Sequence, residues 1–243
     1  MKNIFYICLV LGVMFSSVTF VSCGSDDGGK NNPENNTDRD AAGNIKITEV
    51  NFPDPVFRVY LFDKYGADGV LSDAEIDNVT ELNLRSKGIK SLKGIEFFPL
   101  LKILDCCNNL ITSLDVSKNT KLTDIFCYYN LLTSLDVSGC TKLTHLLCYD
   151  NHLASLNVSG CTELRSLRCH SNLITSLDVS KNIKLTDVLC NDNQLTSLDV
   201  SGCTELISLD CRSNLLTSLD VSKNTSLTKL DCDPSVTVIG WPK

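Results

Sequence analysis

Residues 132–151 read LTSLDVSGCTKLTHLLCYDN, and this pattern returns along most of the chain. Cys106, Cys127, Cys148, Cys169, Cys190, Cys211 and Cys232 fall every 21 residues without a break. Asn109, Asn130, Asn151, Asn172, Asn193 and Asn214 stand three residues after the first six of them. Leu114, Leu135, Leu156, Leu177, Leu198 and Leu219 keep the same period, each followed by Asp or Asn, then Val and Ser. The shared unit is L-x-x-L-x-C-x-x-N-x-L-x-x-L-D-V-S-x-x-x-x. A degenerate earlier copy, LNLRSKGIKSLKGIEFFPLLKIL, puts Leu84 22 residues ahead of Cys106, so the array holds about eight strands. A fixed period of this length marks a solenoid, in which no unit can bury its apolar face alone.

Side chains alternate across a strand, so in L-x-C the Leu and Cys face the core while their neighbours face out. Each unit adds one short parallel strand about 4.8 Å from the last, and eight make a rod roughly 35 Å long. The recurrent Asn belongs inside the turn, its amide bonding backbone groups left unpaired there. The expected architecture is an α/β leucine-rich-repeat solenoid, with short parallel strands on the concave face, 21-residue repeats and a small helical N-terminal cap. Over residues 80–233 the unit resembles the cysteine-ladder repeats of the internalin J-like family. That resemblance implies a bacterial surface adhesin that binds protein, although the matching positions are structural and name no ligand.

The N-terminus reads as a targeting segment. Lys2 precedes an apolar run from Ile4 to Val21, which ends in Phe20-Val21-Ser22-Cys23. Small residues before a cysteine resemble the lipobox of bacterial lipoproteins, which implies that residues 1–22 are a signal peptide and that Cys23 is lipidated. The competing reading is a transmembrane helix, since the run is about 18 residues long. A polar stretch follows at once, with no basic stop-transfer cluster, and this favours cleavage. Residues 23–44, CGSDDGGKNNPENNTDRDAAGN, are too poor in apolar side chains to fold and read as a disordered tether. Ser25-Asp26-Asp27 resembles the acidic export signal of Bacteroidales-type surface lipoproteins. Internalin J is held to a Gram-positive wall, whereas this chain is expected on the outer face of a bacterial outer membrane, touching it only through the lipid. The net charge of -7 leaves no basic footprint for nucleic acid or for anionic lipid.

Both ends of the array read as capped. In the helical cap, residues 45–79, Asp54-Pro55 supplies an N-cap and first helical position ahead of PVFRVYLFDKY. Ser72-Asp73-Ala74-Glu75 is a capping box for a second helix reaching about Val79. This cap resembles the EF-hand-like helix-loop-helix of related bacterial proteins, with Asp68, Gly69 and Glu75 on the pattern. Lys64 and Gly66 stand where calcium needs oxygen ligands, so the loop reads as vestigial. Residues 234–243 read as a C-terminal cap in which Val236–Ile239 forms a last strand and Trp241 a lid, as expected of a complete chain.

Two further columns have structural explanations. Seven inward cysteines in a straight line offer no ion a closed tetrahedral shell, and buried thiols serve as small apolar filler. The ladder is therefore read as reduced; Cys107, beside it, points outward and is expected to react early with thiol reagents. Cys140 and Cys161 are the one other pair a repeat apart, and a bond between them stays open. Asp115, Asp136, Asp178, Asp199 and Asp220, with Asn157 interrupting, read as Asx caps rather than a chain of calcium sites. No metal or cofactor is expected.

Function must lie where the repeats differ. Phe126, Tyr128, Leu147 and Tyr149 form one aromatic and aliphatic patch on the concave face, with Tyr129 beside it. His145, Arg168 and His170 border the patch, and Arg212 lies farther along. Aromatics near arginine suit a protein hot spot, or a platform on which sugar rings stack. The three histidines lack triad partners, and no phosphate loop, dinucleotide fingerprint or zinc-protease motif occurs, so no enzyme is expected. The expectation is a monomeric, lipid-anchored surface protein that binds an extracellular protein through its concave face. Glycan binding and a non-catalytic envelope-structural role are the alternatives.

Overall fold

The computed structural model describes residues 39–241, so the expected signal peptide, Cys23 and most of the expected tether lie outside the described residues. Among the described residues no helix is long and apolar enough to cross a membrane.

The repeats build a parallel sheet of eight three-residue strands. In chain order the elements are β1 (Ile45–Lys46), α1 (Pro55–Lys64), β2 (Val70–Leu71), α2 (Asp73–Asp77), β3 (Glu81–Asn83), β4 (Ile103–Asp105), β5 (Ser113–Asp115), β6 (Asp124–Phe126), β7 (Ser134–Asp136), β8 (His145–Leu147), β9 (Ser166–Arg168), β10 (Asp187–Leu189), β11 (Ser208–Asp210), β12 (Ser218–Asp220), β13 (Lys229–Asp231) and β14 (Thr237–Ile239). The main sheet runs β3-β4-β6-β8-β9-β10-β11-β13. Its register follows the repeat, so that Asp124 lies beside His145 and His145 beside Ser166. The LDVS segments form a second ladder: β5 pairs with β7, and β12 with β14. The strand expected near Val236 therefore extends this second ladder and not the main sheet, while Trp241 packs half-buried against the core.

One repeat shows what fills the core. Leu143, Leu146, Cys148, Leu153, Leu156 and Val158 are all buried, and the ladder cysteines from Cys106 to Cys211 are buried with them. Complete burial of one such leucine contributes about 1.5–3 kcal/mol. All eleven cysteines of the described region are free thiols, and Cys232 alone is not fully buried. Burial pushes the Cys148 thiol up to about 12, so the ladder holds no thiolate at neutral pH.

The asparagine column ties successive repeats together. Asn151 Nδ2 donates to the carbonyls of Cys148 (3.1 Å) and Tyr149 (3.2 Å) in its own turn, and to Cys127 (3.1 Å) one repeat back. Its Oδ1 accepts the N–H of Leu132 at 2.9 Å. Asn130, Asn172 and Asn193 repeat the arrangement. The residue before each column asparagine is left-handed: Asn108, Tyr129, Asp150, Ser171, Asp192 and Ser213 have φ between 51° and 55°, and Ser86, which precedes Lys87 in the degenerate first repeat, has φ 56°.

A second buried column alternates between two chemistries. Asn119, Asn182 and Asn224 donate through Nδ2 to carbonyls one repeat back, as Asn182 does to Val158 (2.9 Å) and Cys161 (2.8 Å). Cys140, Cys161 and Cys203 stand at the same place and donate through Sγ, Cys140 to Val116 at 3.4 Å. Cys140 and Cys161 are therefore hydrogen-bonded thiols, which answers the question of a bond between them. Every Asn of this column follows Lys, and every Cys follows Gly. The approach of the turn at these glycines varies: a Cβ would lie 1.8 Å from the Ser117 carbonyl oxygen at Gly139, 2.5 Å from that of Ser138 at Gly160 and 3.4 Å from that of Ser180 at Gly202.

The Asp column caps turns, as read. Asp115, Asp136, Asp178, Asp199 and Asp220 each accept the N–H of the Ser two residues on, and Asn157 does the same.

At the N-terminal end Asp54 caps α1 through the N–H groups of Val56 and Phe57, both at 2.9 Å, and Ser72 closes a capping box with Glu75. The second oxygen of Asp54 accepts the N–H groups of Lys90 and Ser91, so one carboxylate links the cap to the first repeat. Arg39 bridges to Ile45, and Asp40 caps the turn between them, so the cap takes in residues that composition assigned to the tether.

Three substitutions test this packing. Asn151→Ala leaves several buried backbone groups unpaired, so urea denaturation should show a loss of about 3 kcal/mol. Gly139→Ala drives a methyl into fixed backbone and should cost about 2 kcal/mol or more. Gly202→Ala, whose added Cβ would sit 3.4 Å from Ser180, should be close to neutral in the same assay.

Candidate functional site

Three residues of each repeat project from the outer face of the main sheet, and the register stacks them in columns. The column just after the strands holds Arg85, Cys107, Tyr128, Tyr149, His170, Asn191 and Arg212. The Tyr128 and Tyr149 rings stack with centroids 4.5 Å apart and planes 6° apart, and Tyr149 and His170 at 4.4 Å and 10°. Arg85 closes the other end: its guanidinium carbon lies 5.6 Å from the Tyr128 centroid, and Nη1 donates to the Tyr128 hydroxyl at 2.7 Å. Strand spacing near 4.8 Å is close to the centroid separation of offset-stacked rings, so the ladder itself favours the stack. Both faces of Tyr149 are therefore taken, and sugar rings cannot stack on them.

Tyr129 stands apart. It meets the edges of Tyr128 and Tyr149 at 5.6 Å in T-shaped contacts and remains 54% exposed. Its φ of 52° is costly for an aromatic residue, by about 1–2 kcal/mol, and the other repeats place Ser, Asn or Asp there. Asn130 Nδ2, bonded to the carbonyls of Cys127 and Tyr128, holds the turn in place.

The remaining residues singled out by sequence fall on the same face. Phe126 and Leu147 are half-buried neighbours in the central column, flanked by exposed Arg168. Its guanidinium pairs with Asp187 at 3.2 Å. His145 is exposed and bonds Asp124 through Nδ1 at 2.7 Å. Arg212 grips Asp210 in its own repeat with bonds of 3.0 and 2.6 Å. Arg212 therefore lies two strands beyond His170 and outside the aromatic group. His170 is half-buried, its Nδ1 is enclosed without a hydrogen-bond partner, and burial holds its imidazole below the ordinary range. The Tyr149 phenol is pushed up to about 12, chiefly by burial, so it stays a neutral hydroxyl.

The structure corrects one reading. Cys107 is fully buried, and Tyr128, one repeat on, is its neighbour in the column. It also adds Arg85, hidden in the degenerate first repeat, and Asp150 and Asp192, which share the left-handed position with Tyr129. Counting the register back from Tyr128 would have found Arg85; the left-handed turn has no sequence signal, since its occupants differ in size and charge. Among the described residues no three His, Cys, Asp or Glu side chains converge to hold a metal ion.

The fold and this ladder define a leucine-rich-repeat solenoid with a cysteine ladder. A leucine-rich-repeat protein of Leptospira interrogans aligns with TM-score 0.58 and 20% identity, over 68% of this chain and 45% of that one. Internalin C2 of Listeria monocytogenes aligns with TM-score 0.54 and 23% identity, over 80% of this chain and 97% of that one. The functional domain of InlJ from Listeria monocytogenes, which includes a cysteine ladder, is 29% identical over 80% of this chain, at TM-score 0.39. The chain spans 61% of that InlJ domain and under half of the Leptospira protein. No protein-family model matches the sequence, and no curated protein matches it significantly.

The cover over Cys107 can be tested directly. In the native protein this thiol should resist a thiol reagent, and Tyr128→Ala should add one fast-reacting thiol, assigned to Cys107 by peptide mass. Equal labelling rates in the two proteins would show that Tyr128 does not cover it.

Proposed function

We propose that this chain is a non-catalytic, lipid-anchored protein of the bacterial cell surface that binds an extracellular protein through the outer face of its main sheet. Tyr129 is the observation that carries the reading. It is an exposed aromatic held in a strained conformation that smaller residues fill elsewhere, and such strain is characteristic of functional positions. Behind it the Tyr128–Tyr149–His170 stack forms a rigid wall, and rigid aromatic anchors dominate protein hot spots. The fold shared with leucine-rich-repeat proteins supports an interaction scaffold. The lipobox-like Cys23 and the acidic residues behind it support surface anchoring. Protein is favoured over glycan because the stacked rings offer edges and hydroxyls, leaving Tyr129 as the aromatic with open area.

The test is binding of the chain to arrays of extracellular-matrix proteins, mucins and purified glycans, with Tyr129→Ala alongside. We expect a protein hit whose affinity falls about 30-fold in the variant, a hot-spot loss near 2 kcal/mol. Glycan hits alone would overturn the choice of ligand. Silence on every array would point to an envelope-structural role.

A further inference from the structure

The N-terminal cap carries an apolar surface that the array does not use. Helix α1 reads PVFRVYLFDK, and its residues are apolar almost all the way round. Phe57 and Leu61 face the core and are buried. At about 100° per residue, Phe62, Pro55, Val59 and Val56 fall together on the opposite side, where Asp63 is their polar neighbour. Val56, Val59 and Phe62 are 38%, 59% and 44% exposed. A helix on a protein surface turns an apolar stripe to its core and polar residues to water; one that is apolar on both sides belongs where both are covered.

Lysines border this surface. Val56, Val59, Tyr60, Asp63, Lys64 and Lys87 line one groove. Lys87 Nζ lies 5.2 Å from the Tyr60 ring centroid; Lys64 Nζ lies 5.4 Å from it and donates to the Tyr60 hydroxyl at 3.1 Å. Apolar side chains with tyrosine and lysine at their margin match the boundary between acyl chains and headgroups. There the apolar residues sink in, the phenol sits at headgroup level and the ammonium groups reach the phosphates.

Three occupants can be weighed. Residues 24–38, which lead into the cap, contain no Val, Ile, Leu, Met, Phe, Tyr or Trp, so they have nothing to lay over the surface. A second copy would meet on the order of 250 Å² of apolar area here, against about 800 Å² per partner in a standard protein interface. A membrane needs no such area if the chain is already attached to it. Cys23, the expected lipid carrier, stands 16 residues before Arg39, which bridges to Ile45 in the cap. Sixteen residues span at most about 55 Å, so an inserted lipid keeps the cap beside the bilayer and makes even a weak contact an intramolecular one.

We propose that the outer face of α1 lies in the interface of the membrane that holds Cys23, with Val56, Val59 and Phe62 at the acyl boundary and Lys64 and Lys87 at headgroup phosphates. The acidic balance of the chain opposes docking by charge alone, and apolar burial carries the contact. Asp54 joins the cap to the first repeat, and cap and array form one compact unit, so a docked cap also restrains the array and its binding face. The inference rests on the lipid anchoring proposed above and adds a second contact to it.

The test uses the lipidated full chain in phosphatidylcholine vesicles whose acyl chains are brominated, so that a tryptophan entering the bilayer is quenched. Phe62→Trp places the probe on α1, and Leu215→Trp places it at a comparably exposed apolar site far along the array. Both replaced side chains face solvent, so both variants should keep the wild-type urea midpoint. Emission from Phe62→Trp should fall about twofold relative to unbrominated vesicles, and that from Leu215→Trp should not change. Val59→Asp, added to Phe62→Trp, should abolish most of the quenching because it drives a charge into the acyl boundary. Protein that floats with the vesicles but shows no quenching at position 62, or equal quenching at both positions, would overturn the inference while leaving the anchor intact. Protein that does not float, or floats equally well as Cys23→Ser, would overturn the anchoring reading and this inference with it.

Discussion

The asparagine amide inside each turn is the interaction on which the rest of the structure depends. A solenoid has to reverse the chain once per repeat, and each reversal strands backbone groups in an apolar interior, where an unpaired group costs about 1–3 kcal/mol. Asn130, Asn151, Asn172 and Asn193 meet that demand and reach across to the carbonyl of the cysteine one repeat earlier. The same amide therefore closes its own turn and sets the spacing to the neighbouring one. That spacing is what stacks Tyr128 on Tyr149 and Tyr149 on His170.

The second buried column shows how one geometric task admits two solutions. Carbonyls of the preceding turn need a donor, and either an asparagine amide or a cysteine thiol supplies it. The choice carries over to the residue before, Lys with the longer side chain and Gly with the shorter. The asparagine solution leaves Oδ1 of Asn119, Asn182 and Asn224 buried without a partner, whereas the thiol leaves no such acceptor. The weaker thiol donor thus avoids a desolvated oxygen, which is a physical reason for both forms to coexist.

On the outer face, the ladder limits what chemistry is on offer. Repeating rings at strand spacing satisfy one another, and Arg168 and Arg212 are each held by a carboxylate, so much of the face is already engaged. Recognition is left to positions outside this mutual satisfaction. Tyr129, whose ring meets Tyr128 and Tyr149 in T-shaped contacts and stays exposed, is such a position. Variation between repeats is informative at the left-handed turn, because the backbone there disfavours the very residue that occupies it.

Much of the architecture was legible in the residues alone. The 21-residue spacing of Cys and Asn, with the degenerate copy 22 residues ahead of it, gave the number of strands, their parallel order and their register, since an unbroken period leaves one way to stack. Capping at Asp54 and Ser72 was equally plain, because a cap is a local bond between neighbours in sequence. The sequence also marked which residues share the outer face. It did not show which of them are free. Tertiary structure alone decided that Cys107 is covered, that the faces of Tyr149 are closed, that Arg212 is bound to Asp210, and that the C-terminal strand joins the second ladder. Each of these depends on contacts between side chains of different repeats or on the path of the turn. A periodic sequence specifies which residues become neighbours, but only packing settles which of those neighbours use up each other's surface.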